Sequence, residues 1–172
     1  MKRNSSQLPR QLSSNMALNP IAPNVGDEYY VNGIFHFNTS GLRNEIESNI
    51  SEFLCVRTKV SLWWEERTID LDADCVDSAD LDSPLIIAEI APDRYGYYPN
   101  IDPDNWPQRG YNLINGYHCV EKAHRLGVSH LPAYIVPMEK HIYFMFKGFD
   151  SYVDYWNGKL ADYMSDQKRR ER

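Results

Sequence analysis

The residues whose types and spacing suit chemistry fall together at Asn115-Gly116-Tyr117-His118. Upstream of them, Tyr111, Asn112, Leu113 and Ile114 read as a strand, and Asn115-Gly116 is a turn dipeptide. From His118 the apolar period becomes helical, with Val120, Ala123 and Leu126 on one stripe and Cys119 beside it. Gly127 fits the helix stop, and residues 131–136 resume as a strand. A strand that passes through Asn-Gly into a helix start gathers several open backbone N–H groups at the positive end of the helix dipole. A phosphate is the commonest anion held in such a place. Gly116 would let that ligand come close to the backbone. His118, Glu121, Lys122 and Arg125, spaced i, i+3, i+4, i+7, share the polar face of the helix. The competing reading is an ordinary strand–turn–helix–strand unit whose polar face is solvated.

A second candidate is Glu89. It ends the apolar run Leu85-Ile86-Ile87-Ala88, which suits a central strand buried on both faces. A carboxylate there either points into a cleft alongside the 115–118 turn or lies at the strand's open end. Asp70-x-Asp72-x-Asp74 has the spacing of a calcium loop but lacks that motif's Gly and closing Glu, so a solvated acidic loop is expected over residues 65–82. Trp63-Trp64 puts one indole on each face of an extended strand, for core or interface packing.

The run Leu113-Ile114-Asn115-Gly116-Tyr117-His118-Cys119, with Ala123, Leu126-Gly127 and Leu131-Pro132-Ala133-Tyr134-Ile135-Val136, resembles the signature box of the ParB/sulfiredoxin-like superfamily. The strand of residues 84–90 resembles the one preceding that box in bacterial ParB-like domain proteins, so the resemblance spans about residues 84–137. It implies an α+β fold with a small mixed sheet and covering helices. For the box itself, it implies a nucleotide or phosphate ligand held at Asn115, Gly116, Tyr117 and His118. Relatives use this place for ATP-dependent sulfinic-acid reduction, CTP hydrolysis or phosphorylation of free serine. By that analogy Glu89 or Asp93 would be the general base, His118 and the helix-start amides would hold phosphates, and Mg2+ could bridge a nucleoside triphosphate. The box is degenerate: the family's Asp is Asn115, its first His or Asn is Tyr117, and its Arg is Cys119. A thiol cannot replace a charged five-donor fork; Arg94 and Arg109 in the following loop are candidates to supply the guanidinium that Cys119 lacks. Cys119 follows His118 where sulfiredoxins place their Cys before it, which fits a small, partly buried residue rather than a nucleophile. The alternative is a non-catalytic interaction protein with a decayed site, which would bring a protein partner or a homo-oligomer. A ParB-like nuclease is the third reading.

The charge pattern bears on that third reading. The chain carries 18 basic and 24 acidic residues, net −6, with +3 in residues 1–26 and +2 in residues 165–172, leaving −11 on the body. Such a body repels a phosphate backbone, so specific nucleic-acid binding is disfavoured. Three cysteines, odd in number and widely spaced, suggest neither a disulfide framework nor a zinc site, and a reducing cytoplasm is the expected location. No secretory h-region or transmembrane run occurs.

The elements that must position the box follow from local pattern. Residues 1–26 are expected to be a disordered or extended arm, residues 27–164 one domain, and residues 165–172 a basic tail. Residues 29–37 form a hairpin signal around Asn32-Gly33. Asn38-Thr39-Ser40 then caps a helix carrying Leu42, Ile46, Ile50 and Phe53. A strand is expected within residues 54–64, a short helix over 138–147, and a longer helix from Asp150 with Tyr152, Val153, Trp156, Leu160 and Met164 inward. Residues 93–110, rich in tyrosine and proline, make a long loop suited to a lid, a plug or an interface.

Overall fold

A computed structural model describes residues 11–13, 20–33, 35–64, 71–92 and 110–170. The expected α+β class is borne out by two sheets and five α-helices among the described residues. Strands β1 (Tyr29–Asn32) and β2 (Phe35–Asn38) form the hairpin, with Asn32 opposite Phe35. The short strand β7 (Met145–Lys147) adds antiparallel to β2.

The second sheet is mixed, in the order β3 (Leu54–Lys59), β6 (His130–Val136), β4 (Leu85–Glu89), β5 (Tyr111–Asn115). β4 lies parallel to β6 and antiparallel to β5. This central placement explains its unbroken apolar run, since all five residues are buried. Alternation sends Ile86, Ala88 and Ile90 into a core with Phe37, Leu42, Ile46, Tyr152 and Trp156, while Leu85 and Ile87 face Leu113, Val120, Ala123 and Ile135. Each large apolar side chain buried in this way contributes about 1.5–3 kcal/mol.

Helices α1 (Thr39–Ser48) and α5 (Phe149–Arg170) cover the first face, and α3 (Tyr117–Arg125) covers the second. The Asn38 side chain caps α1 by accepting from the Gly41 amide at 2.8 Å. α1 stops earlier than its apolar spacing suggests. Asn49 leaves the helical conformation at φ −134°, a 3-10 turn follows, and Ile50 is exposed, whereas Phe53 is buried. β3 likewise ends in a 3-10 turn (Val60–Leu62), so the Trp63-Trp64 pair is not extended. Both indoles lie on the α3 side, where the Trp63 Nε1 donates to Thr58 Oγ1 at 2.9 Å.

The acidic stretch also departs from the expected loop. Among its described residues, α2 (Ala73–Ser78) forms because Asp72 caps the Cys75 amide at 3.0 Å, Asp74 sits favourably in the first turn, and Val76 is fully buried. Between Pro137 and Gly148 the single expected helix is instead α4 (Met138–His141), a 3-10 turn and β7. The described part of the arm is mostly exposed and is tied to the rest of the chain at Leu12 and at Ile21, whose amide donates to the Tyr143 carbonyl at 3.2 Å. Leu12 is buried and exchanges two hydrogen bonds with the Asn157 side chain. α5 carries the chain on to Arg170. No helix among the described residues is long and apolar enough to cross a membrane.

Candidate functional site around the β5–α3 turn

Gly116 joins β5 to α3 at φ +107°, a left-handed conformation that favours glycine. Val120 N donates to its carbonyl at 3.1 Å, the first bond of α3. Gly116 offers no capping side chain, and the first turn of α3 holds no acidic residue. The reason for glycine is sharper than the sequence implied. A Cβ here would lie 2.4 Å from Leu85 Cδ2, so the turn is packed directly on the start of β4. The glycine answers that packing and the positive φ, and an approaching ligand is not needed to account for it.

The Asn115 side chain is a junction. Its Oδ1 accepts from Arg43 Nη2 at 2.5 Å, and its Nδ2 donates to Glu28 Oε2 at 2.7 Å. Arg43, half-buried on α1, also donates to the Pro84 carbonyl at 3.2 Å and approaches Ser83 Oγ at 3.4 Å. A guanidinium therefore stands beside the turn, supplied by α1. The sequence carried no local sign of Arg43 or Glu28, because they lie 72 and 87 residues away from Asn115.

The other box residues divide between structure and exposure. Tyr117 turns its hydroxyl back to the Leu113 carbonyl and stacks on Tyr30 at 6.4 Å, so its ring closes the joint between the two sheets. His118 is half-buried and within electrostatic reach of Asp72. Asp72 is itself held below the ordinary carboxylate range, chiefly because it accepts the Cys75 N–H. The Cys119 Sγ meets the Asp80 carbonyl at 3.4 Å. Burial pushes that thiol up, against the opposing pull of Arg43, which disfavours a thiolate nucleophile. Residues 115–119 are half-buried, not sealed.

The polar face of α3 is largely committed. Lys122 Nζ donates to the Asp77 and Ala79 carbonyls at 2.8 and 2.7 Å, fastening the end of α2 to α3. Glu121 accepts from Trp64 Nε1 at 3.0 Å and pairs with Arg125 at 2.7 Å, while the Trp64 and His124 rings stack at 3.7 Å. Among the described residues no group of three or more His, Cys, Asp or Glu is clustered to hold a metal ion.

Glu89 does not join the turn. Because β5 runs antiparallel to β4, Asn115 pairs with Ile86 and Tyr111 pairs with Glu89. Three residue steps separate the two positions, roughly 10 Å at 3.4 Å per residue. The Glu89 carboxylate is buried at the far end, where Oε2 accepts from the Met138 amide at 3.2 Å. The Glu89 carbonyl accepts from the fully buried His141 ring at 2.6 Å. Expecting Glu89 beside the 115–118 turn placed it at the wrong end of the strand. Asp93, Arg94 and Arg109 lie outside the described residues. Their flanks meet at the Glu89 end, where Ile90 N and Ala91 N donate to the Gly110 carbonyl at 2.6 and 2.9 Å.

Comparison of the chain with protein-family models, with curated proteins and with solved structures finds no match.

Proposed function

We propose that this chain is a ParB/sulfiredoxin-like domain that holds a phosphate-bearing ligand, a nucleotide with Mg2+, at the start of α3. The observation that carries this reading is the guanidinium of Arg43 at Asn115, beside a helix that begins at left-handed Gly116 with no side-chain cap. It supplies the charge that Cys119 lacks as the counterpart of the family's arginine. His118 at the second position of α3 is half-open to solvent and available to a phosphate oxygen. The reading is one of binding, without turnover through Glu89, which is at the other end of β4. Thermal shift with ATP, ADP and CTP plus magnesium tests it. Stabilisation by nucleotide that is lost in His118→Ala and Arg43→Ala is expected, and no stabilisation at millimolar nucleotide discards it.

A second reading, a non-catalytic interaction protein whose box has become a structural joint, is favoured by two contacts. Asn115 has its amide engaged on both sides, and Gly116 is packed on Leu85. Light scattering that shows an oligomer, with no nucleotide effect, selects this reading.

A further inference from the structure

We infer that α5 carries, at Asn157, a recognition site for a leucine-bearing peptide segment, filled in cis by the chain's own Leu12 and exchangeable with the Leu12 segment of a second copy. The inference is independent of what the turn at Gly116 holds. Leu12 is only 3% exposed, while its neighbours Gln11 and Ser13 are both exposed, so a single side chain of residues 11–13 enters the molecule. It joins the core that contains Phe35, Tyr152, Val153 and Trp156. Asn157, next to Trp156 on α5, grips the backbone of the same residue. Its Oδ1 accepts from the Leu12 amide at 3.0 Å, and its Nδ2 donates to the Leu12 carbonyl at 2.8 Å.

A carboxamide that takes both the N–H and the C=O of one residue satisfies the pair of groups that an antiparallel strand partner would take. Backbone hydrogen bonds for affinity and one buried side chain for specificity are the two halves of strand-like peptide recognition. Here a single residue supplies both, 145 positions away in sequence from the side chain that holds it. Charge agrees with this occupant. Residues 1–26 carry +3 and no acid, with Arg10 two positions before Leu12. Residues 149–163 of α5 carry Asp150, Asp154 and Asp162 against Lys159. The same segment of a second copy presents the identical leucine and basic flank, so it fits the site as well as the chain's own arm does.

A tethered segment acts at an effective concentration of about millimolar, so a free peptide must compete with it. An arm docked about nine times in ten raises the apparent dissociation constant of that peptide about tenfold. The test is titration of the 15N-labelled full chain with a synthetic peptide of residues 9–16, read at the Asn157 side-chain amide signals by NMR. Leu12→Ser in the chain takes the cis leucine away and leaves Asn157 in place. The expected result is a midpoint about tenfold lower for the Leu12→Ser chain than for the parent. The gain should vanish when the peptide itself carries Leu12→Ser, and fall about tenfold when Asn157→Ala is added to the chain. Asn157 signals of the Leu12→Ser chain that stay unmoved at about 2 mM peptide overturn the inference, and so does equal binding by parent and variant. Should Leu12→Ser unfold the chain, the parent decides: a spin-labelled peptide at about 5 mM must broaden the Asn157 signals, and no broadening overturns the inference.

Discussion

Replacing Gly116 by Ala tests the packing account of the turn directly. The added Cβ would sit 2.4 Å from Leu85 Cδ2, well inside contact distance, and the residue would have to keep φ +107°. The left-handed backbone costs about 1–2 kcal/mol for a residue with a side chain. Overpacking against a buried Leu adds about 1–3 kcal/mol. The sum, about 2–5 kcal/mol, is a large share of the ~5–15 kcal/mol that holds a domain together. Urea unfolding followed by tryptophan fluorescence would read it, since Trp63 and Trp156 are buried in different cores. A double-mutant cycle separates the two causes. In a Leu85→Ala background the clash is relieved, so the cost of Gly116→Ala should fall to the backbone part alone, about 1–2 kcal/mol. If Gly116→Ala costs under about 0.5 kcal/mol, or the same in both backgrounds, the close approach of turn and strand is wrong.

Other perturbations follow from the same geometry. Arg43→Ala leaves the Asn115 Oδ1 and the Pro84 carbonyl without their donor, and should lower stability by about 1–3 kcal/mol in urea melts. A change within error would mean that this network forms no joint. Burial holds His141 neutral, with its pKa lowered from 6.5 to about 4, so the unfolded chain binds more protons between those values. Stability is then full above pH 6.5 and falls as the pH drops toward 4, with a slope approaching 1.4 kcal/mol per pH unit from this group. His141→Gln should flatten that slope, and an unchanged pH profile would refute the assignment. Iodoacetamide at pH 8 should modify exposed Cys55 before half-buried Cys119, whose thiol burial pushes up. Peptide mass spectrometry showing Cys119 labelled first would contradict this.

The strand–turn–helix–strand unit was legible because its signals are local. Asn115-Gly116, the stripe of Val120 and Ala123, and Gly127 each act within a few residues, and the structure places β5, α3 and β6 where they indicate. The hairpin and the Asn38 cap were readable for the same reason. What failed were statements about what lies beside what. The distance from Glu89 to the turn depends on the direction of β5 relative to β4, and nothing in either strand's apolar pattern encodes direction. Arg43 and Glu28 reach Asn115 through tertiary packing of α1, so no spacing rule could single them out. Local propensity misled as well: Asn49 ended α1 ahead of Ile50, Asp72 capped a helix that the acidic composition hid, a 3-10 turn ended β3 before Trp63-Trp64, and residues 138–147 broke into α4, a 3-10 turn and β7.

β4 is a wall common to both hydrophobic compartments, with Ile86 and Ala88 furnishing one side and Leu85 and Ile87 the other. Neither compartment can come apart without stripping a face from the strand that lines its neighbour. Loss of order around Trp156 should therefore coincide with loss of order around Trp63, in a single transition. The amide protons of Ile86 and Ile87 should be among the last to trade with solvent deuterium. The turn at Gly116 rests on that wall through Leu85, so whatever the turn holds is tied to the most persistent part of the molecule.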